Sequence, residues 1–143
     1  MENSDYLKNL NENQLEAVKT INGPVMVFAG AGTGKTRTLI SRIVYMIKEC
    51  NIQPYNILAI TFTKKATNEM RERLEKQIDD NAKFVHISTI HSLCANILRR
   101  NATYLDYGRN FEVIDEEDQV KILNEIYKKS EINRRVLSPK VAI

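Results

Sequence analysis

Long apolar runs, clustered cysteines, sequence repeats and Gly/Ser linkers are all missing from this 143-residue chain, and each absence removes a class of function. No apolar stretch comes near the roughly 20 residues that a membrane-spanning helix needs. The N-terminal segment "MENSDYLKNLNENQ" is polar, with neither a basic leader nor an apolar core, so no secretory signal is read there and a cytoplasmic protein is expected. Cys50 and Cys94 lie far apart and lack the close spacing of zinc or redox motifs. Both are expected to be packing residues, since an isolated cysteine behaves as a small buried hydrophobe. His86 and His91 are not at the i, i+4 spacing that places two ligands on one helix face, so no metal centre built on them is expected.

What is present is the composition of a globular domain. Hydrophobic residues make up 43% and charged residues 27% of the chain, with a mean hydropathy of −0.38. This is enough for one domain with a core, but short for a two-domain nucleotide-driven machine. A net charge of +3 and a pI near 8.8 permit nucleic-acid binding without requiring it.

From Asn11 onward, strand and helix signals alternate, which argues for a parallel α/β sheet flanked by helices. Asn11 is a good N-cap for a first helix carrying Leu15, Val18 and Ile21 and ending near Asn22–Pro24. "VMVFA" from Val25 predicts a buried strand, as do "ILAITF" at Ile57–Phe62 and "FVHIS" at Phe84–Ser88. Helical stripes follow each: Leu39, Ile40, Ile43, Val44 and Ile47; then Ala66, Met70, Leu74 and Ile78; then Leu93, Ile97 and Leu98. From Tyr104 the chain becomes polar and turn-rich before a last helix over about Glu116–Lys129, and a subdomain boundary is placed near Asn110. The closing "SPKVAI" has no helix stop signal and reads as an interrupted chain.

Between the first strand signal and the helix after it stands "FAGAGTGKTRT", Phe28–Thr38. It fits the phosphate-loop pattern G-x-x-x-x-G-K-[ST], with Ala29 in the first glycine position and Gly34, Lys35 and Thr36 at its end. Gly30, Gly32 and Gly34, interleaved with Ala31 and Thr33, let backbone N–H groups turn toward phosphate oxygens, and the helix N-terminus adds partial positive charge. Lys35 would reach the β- and γ-phosphates, and the Thr36 hydroxyl would ligate Mg²⁺. The alternative is a structural glycine-rich turn.

The loop alone does not separate a kinase, a switch and a motor; a P-loop motor would also use a carboxylate at a strand end, and "FEVIDEED", Phe111–Asp118, imitates one. Glu112, however, would then sit in a strand buried on both faces, where an unpaired carboxylate costs several kcal/mol, on the order of a whole domain's margin. The favoured reading makes Asp115 a helix N-cap with Asp118 completing an acidic capping box, and gives Val120, Leu123 and Tyr127 the apolar face.

Four segments, in order, resemble the N-terminal part of the UvrD/Rep family of superfamily 1A DNA helicases, and the resemblance covers nearly the whole chain. "LNENQLEAV" is similar to the family's Q motif, which implies that Gln14 reads the adenine edge, as an amide that both donates and accepts can. "AGAGTGKTRT" resembles motif I and implies that Arg37 lies near the nucleotide. "ITFTKKATNEMRERL" resembles motif Ia and "STIHSLCANILRR" the next DNA-contacting motif. Phe62, at a strand's C-terminal end where open α/β sheets bind ligands, would stack on a base; read without the family, a core phenylalanine ending an apolar strand is the preferred reading, and the resemblance reverses that preference. Thr63, Lys64 and Lys65 begin a helix and would meet backbone phosphates, the alternative for the lysines being a solvated surface. Thr89, His91 and Ser92 occupy the equivalent turn one unit later and would extend the path, although for His91 taken alone a capping or packing role is the preferred reading. Two positions depart from the family pattern: Lys64 replaces its usual asparagine, and Ile90 its usual phenylalanine.

The resemblance implies a P-loop NTPase of RecA-like fold, with residues 1–110 forming the N-terminal part of the ATP-binding motor domain and 111–143 the beginning of a helical subdomain. It implies ATP and Mg²⁺ as cofactors and single-stranded DNA and single-strand/duplex junctions as partners. The implied activity is ATP-driven 3′ to 5′ translocation and unwinding. The family's catalytic carboxylates and arginine finger are expected beyond Ile143, so the chain alone is expected to bind nucleotide weakly with little turnover. Two alternatives stay open: the helicase-like subunit of an AddAB or RecBCD type nuclease complex, and a stand-alone P-loop binding module or small kinase in which Asp115 would serve Mg²⁺.

Overall fold

In a computed structural model, residues 5–108 and 110–130 are described. They fall into two compact units that divide between Asn96 and Ile97. The "SPKVAI" end lies outside the described residues.

In the first unit, α1 spans Glu12–Lys19. The Asn11 side chain accepts from the Gln14 N–H at 2.9 Å, and Gln14 Oε1 accepts from the Asn11 N–H at 3.0 Å, a reciprocal cap that starts the helix. The helix ends before the expected Asn22–Pro24, because both the N–H and the hydroxyl of Thr20 close on the Glu16 carbonyl. α2 covers Lys35–Lys48, β1 Leu58–Thr61, α3 Lys64–Ile78 and β2 His86–Thr89, and α4, Ile90–Asn101, begins in this unit and ends past the division.

β1 and β2 are parallel, in a register that pairs Leu58 with His86 and Thr61 with Thr89, and α3 is the crossover between them. The hydrophobic stripes of α2 and α3 are the reason these elements pack. Ile40, Ile43 and Val44 of α2 meet Met70, Leu74 and Ile78 of α3, with Ala59 and Ile87 from the strands closing the same core. Ala66, on the same α3 stripe, is half-buried.

The expected first strand departs from this pattern. Residues 25–29 form no strand, and all are exposed, Phe28 at 91%. An apolar run becomes a buried strand only with hydrogen-bonded neighbours and covered faces. Among the described residues the sheet is β1 and β2 alone, so nothing supplies either. The β2 strand also starts later than expected, since Phe84 belongs to a 3-10 turn over Asp79–Phe84 and is exposed. Cys50 and Cys94 are exposed and unpaired, contrary to the packing role expected of them, because each lies outside the buried stripe of its neighbours.

In the second unit, α5 spans Glu116–Lys129. Asp115 caps it through Oδ1, which accepts from the Asp118 N–H at 2.9 Å. The Asp118 carboxylate accepts from Lys121 at 2.9 Å, and this hydrogen bond, then the carboxylate's charge, raises the Lys121 ammonium above its usual pKa. "FEVID" is therefore a helix lead-in and not a strand. Tyr127 is buried, with Val120 and Leu123 half-buried on the same face as expected. Leu93 of α4 is half-buried, whereas Ile97 and Leu98 are exposed. No helix among the described residues is long and apolar enough to cross a membrane.

Leu74 is fully buried in the α2–α3 core. Leu74→Ala is expected to destabilise the chain by about 2–5 kcal/mol in urea unfolding, the range for emptying a packed leucine site. Leu105→Ala, at a residue 52% exposed, is expected to cost far less.

Candidate nucleotide site and adjoining strand-to-helix turns

The first turn of every helix leaves backbone N–H groups without intrahelical partners. Side-chain oxygens meet this need elsewhere in the chain: Asn11 at α1, Thr63 at α3 (accepting from the Ala66 N–H at 3.1 Å), Thr89 at α4 (from the Ser92 N–H at 3.1 Å) and Asp115 at α5. α2 begins without one. Its N-cap is Gly34, at φ +89°, with no side-chain cap hydrogen bond.

The loop before it is shaped by glycines in the left-handed region, Gly32 at φ +76° and Gly34 at +89°, where an L side chain is strained. It folds around the Lys35 ammonium, which donates to the Gly30 carbonyl at 2.6 Å and to the Ala29 carbonyl at 3.1 Å. The Thr33 hydroxyl donates to the same Gly30 carbonyl at 2.8 Å. Ala31 and Thr36 are exposed on either side of this turn.

Gln14 ties α1 to the loop. Its Nε2 donates to the Thr33 carbonyl at 2.9 Å while its Oε1 serves the α1 cap. Gln14, Ala29, Gly30, Thr33 and Lys35 border a single cavity of about 500 Å³, within the size range of small-molecule sites. Val25, Val27 and Leu39 give it apolar walls, and no carboxylate among the described residues lines it. Open N–H groups, a lysine and glycines suit a polyphosphate, and an exposed Thr36 hydroxyl beside them is a donor type that suits a hard cation.

Arg37 is not brought to this cavity. Its guanidinium donates to the Asn9 carbonyl at 3.4 Å and borders a second, polar cavity with Arg73 and Lys76. Arg42, which no sequence motif marks, does line the first. Its signal was the spacing of Lys35, Thr38, Leu39 and Arg42, which puts all four on one helical stripe.

The second group of expected residues gathers at the two strand-to-helix turns. Pairing of Thr61 with Thr89 sets Phe62 and Ile90 beside one another at the C-terminal ends of adjacent parallel strands. Phe62 is 96% exposed, so the alternative of a core phenylalanine is excluded. Behind it the turn is hydrogen-bonded: the Thr61 and Thr67 hydroxyls share a 2.6 Å hydrogen bond, in which one donates to the other, and the hydroxyl that accepts it donates in turn to the Thr63 carbonyl, which lies 3.1 Å from Thr61 Oγ1 and 3.2 Å from Thr67 Oγ1. Lys64 and Lys65 are exposed in the first turn of α3. Thr89 donates to the Ser92 hydroxyl at 2.9 Å, which places the cap on Thr89 and Ser92 and leaves His91 exposed.

The class defined by these features is an α/β protein whose uncapped, glycine-turned helix N-terminus adjoins a cavity of about 500 Å³. Residues 10–143 match the UvrD/REP helicase N-terminal domain, and the chain belongs to that family. It is similar to the ATP-dependent DNA helicase PcrA of Staphylococcus aureus, with 45% identity over 137 residues, which cover 96% of this chain and 19% of that protein. PcrA of Staphylococcus epidermidis is 44% identical over the same coverage. The chain thus spans about a fifth of the length of these curated relatives.

A Cβ added at Gly34 would lie 3.3 Å from Gln14 Nε2, whereas one added at Gly23, at φ +78°, would meet nothing within 4 Å. Gly34→Ala and Gly23→Ala should therefore share a backbone penalty of about 1–2 kcal/mol. Gly34→Ala should show an additional loss in urea unfolding, and that excess should vanish in a Gln14→Ala background.

Proposed function

We propose that this chain is the N-terminal, ATP-binding portion of a UvrD-type DNA helicase motor, of RecA-like architecture, and that the complete protein couples ATP hydrolysis to 3′ to 5′ movement along single-stranded DNA. The observation that carries the reading is the missing cap on α2: each of the other described α-helices meets an N–H of its first turn with a side-chain oxygen, while α2 offers its N–H groups and Lys35 to an outside anion. A triphosphate would exchange the carbonyls of Ala29 and Gly30 for its own oxygens at the Lys35 ammonium, a charge-assisted pairing stronger than the neutral one it replaces. Thr36 would hold the divalent cation, which when bound offsets charge on the β- and γ-phosphates. Gln14, already at the loop, would read the adenine edge.

At the strand-to-helix turns, Phe62 would stack on a base of the single strand, with Thr63, Lys64 and Lys65 on its phosphates and Thr89 and His91 continuing the path at the neighbouring turn. A bare aromatic on a hydrogen-bonded turn is a stacking platform that needs no reordering. Because no carboxylate among the described residues lines the cavity, the site supplies binding and not the activation of water, so this chain alone is proposed to hold nucleotide without turning it over.

Titration with a fluorescent ATP analogue and Mg²⁺ should give saturable binding that Lys35→Ala weakens by about tenfold or more, the effect of losing one charged phosphate contact. Hydrolysis assayed in parallel should stay at background. Turnover abolished by Asp115→Ala would instead point to the kinase-like alternative. Binding to oligo(dT), followed by anisotropy, should weaken in Phe62→Ala by about 1–3 kcal/mol per lost stack. In Lys64→Ala the slope of log affinity against log salt should fall by about 0.7, the value for one single-strand phosphate contact.

A further inference from the structure

Arg42 has no part in the roles given above, yet it borders the cavity that holds Gln14 and Lys35, and its Nη1 donates to the Ala17 carbonyl. Ala17 belongs to the last turn of α1, whose final carbonyls have no N–H four residues ahead within the helix. Thr20 serves Glu16; Arg42 serves Ala17. The guanidinium also sets positive charge at the negative end of the α1 dipole.

This grip matters because α1 has eight residues, too few to persist in water unaided. At its N-terminal end it is tied by the Asn11–Gln14 pair and by Gln14 to the Thr33 carbonyl. At its C-terminal end it is tied by Arg42, with Ala17 and Val18 buried between. Lys35 and Arg42 lie on one stripe of α2, two turns or about 10 Å apart. One helix therefore carries both the lysine at the phosphate loop and the side chain that holds the element bearing Gln14.

We infer that Arg42 is a positioning residue for base recognition: by clamping α1 to α2 it fixes the distance between the Gln14 amide and the phosphate loop, and so selects adenine among nucleotides bound at Lys35. The inference rests on the nucleotide reading above. Lysine is a poor substitute, since a single ammonium lacks the rigid fork of donors that lets guanidinium reach a carbonyl while its stem packs along a helix.

The test measures binding of the fluorescent ATP analogue to the 143-residue chain, with GTP and inorganic tripolyphosphate as competitors, for wild type, Arg42→Ala, Arg42→Lys, Gln14→Ala and the Arg42→Ala/Gln14→Ala double variant. Arg42→Ala should weaken ATP-analogue binding by about the same 3- to 10-fold as Gln14→Ala, one side-chain hydrogen bond's worth. The double variant should be no weaker than either single one, because both act through one contact. Preference for ATP over GTP should be lost, competition by tripolyphosphate unchanged, and Arg42→Lys intermediate. If Arg42→Ala does not fold by circular dichroism, Arg42→Gln and Arg42→Lys carry the same comparison. Adenine preference retained, losses that multiply in the double variant, or weakened tripolyphosphate competition would each overturn the inference. Wild-type binding that is absent or indifferent to Lys35→Ala would instead defeat the nucleotide reading on which it stands.

Discussion

Ile43 and Val44 sit at the centre of α2 with 1% and none of their surface exposed, and burying them against Leu74 of α3 fixes the helix on which the candidate site is built. Because α2 cannot turn or slide without exposing that pair, its opposite face becomes a rigid ruler. Lys35 stands at one end of the ruler inside the glycine loop, and Arg42 two turns along holds α1. At about 1.5–3 kcal/mol for each buried aliphatic side chain, the packing term is large beside the single hydrogen bonds that shape the loop. The core places the site, and the polar contacts tune it.

The loop is satisfied by itself. Lys35 rests on two carbonyls, Thr33 on one of the same two, and Gln14 closes the Thr33 carbonyl from α1. A ligand must displace some of these bonds, so its affinity is the difference between the new bonds to phosphate and the internal ones surrendered, and not the sum of the new bonds alone. The same arrangement spares the lysine any conformational search, since its ammonium is held within the loop beforehand. At the two strand-to-helix turns the logic is reversed. There the threonines consume the local hydrogen-bonding capacity, leaving Phe62 bare and the lysines solvated.

Local signals were readable from the sequence, and long-range ones were not. Asn11 and Asp115 announced their helices because a cap is decided within four residues, and the α3 stripe announced its core face because periodicity is a local property. The run at 25–29 misled because a strand exists only by pairing, and a sequence does not say whether its neighbours are at hand. Cys50 and Cys94 misled for a similar reason: their average tendency to be buried gave way to where each falls on its helix or turn. Lys35 was legible through its motif. The position of Arg37 was not, since its partner is the backbone carbonyl of Asn9, and Arg42 escaped notice because a carbonyl such as that of Ala17 has no letter of its own.

The proposed function depends above all on the uncapped N-terminus of α2 being a phosphate site. A ¹H–¹⁵N NMR titration of the chain with a non-hydrolysable ATP analogue and Mg²⁺ would look at that N-terminus amide by amide. The largest shifts should fall on the amides of Gly32–Thr36 and on the Gln14 side-chain amide, and they should disappear in Lys35→Ala. Shifts centred instead on the Arg37, Arg73 and Lys76 cavity, or unaffected by Lys35→Ala, would contradict a phosphate site at α2.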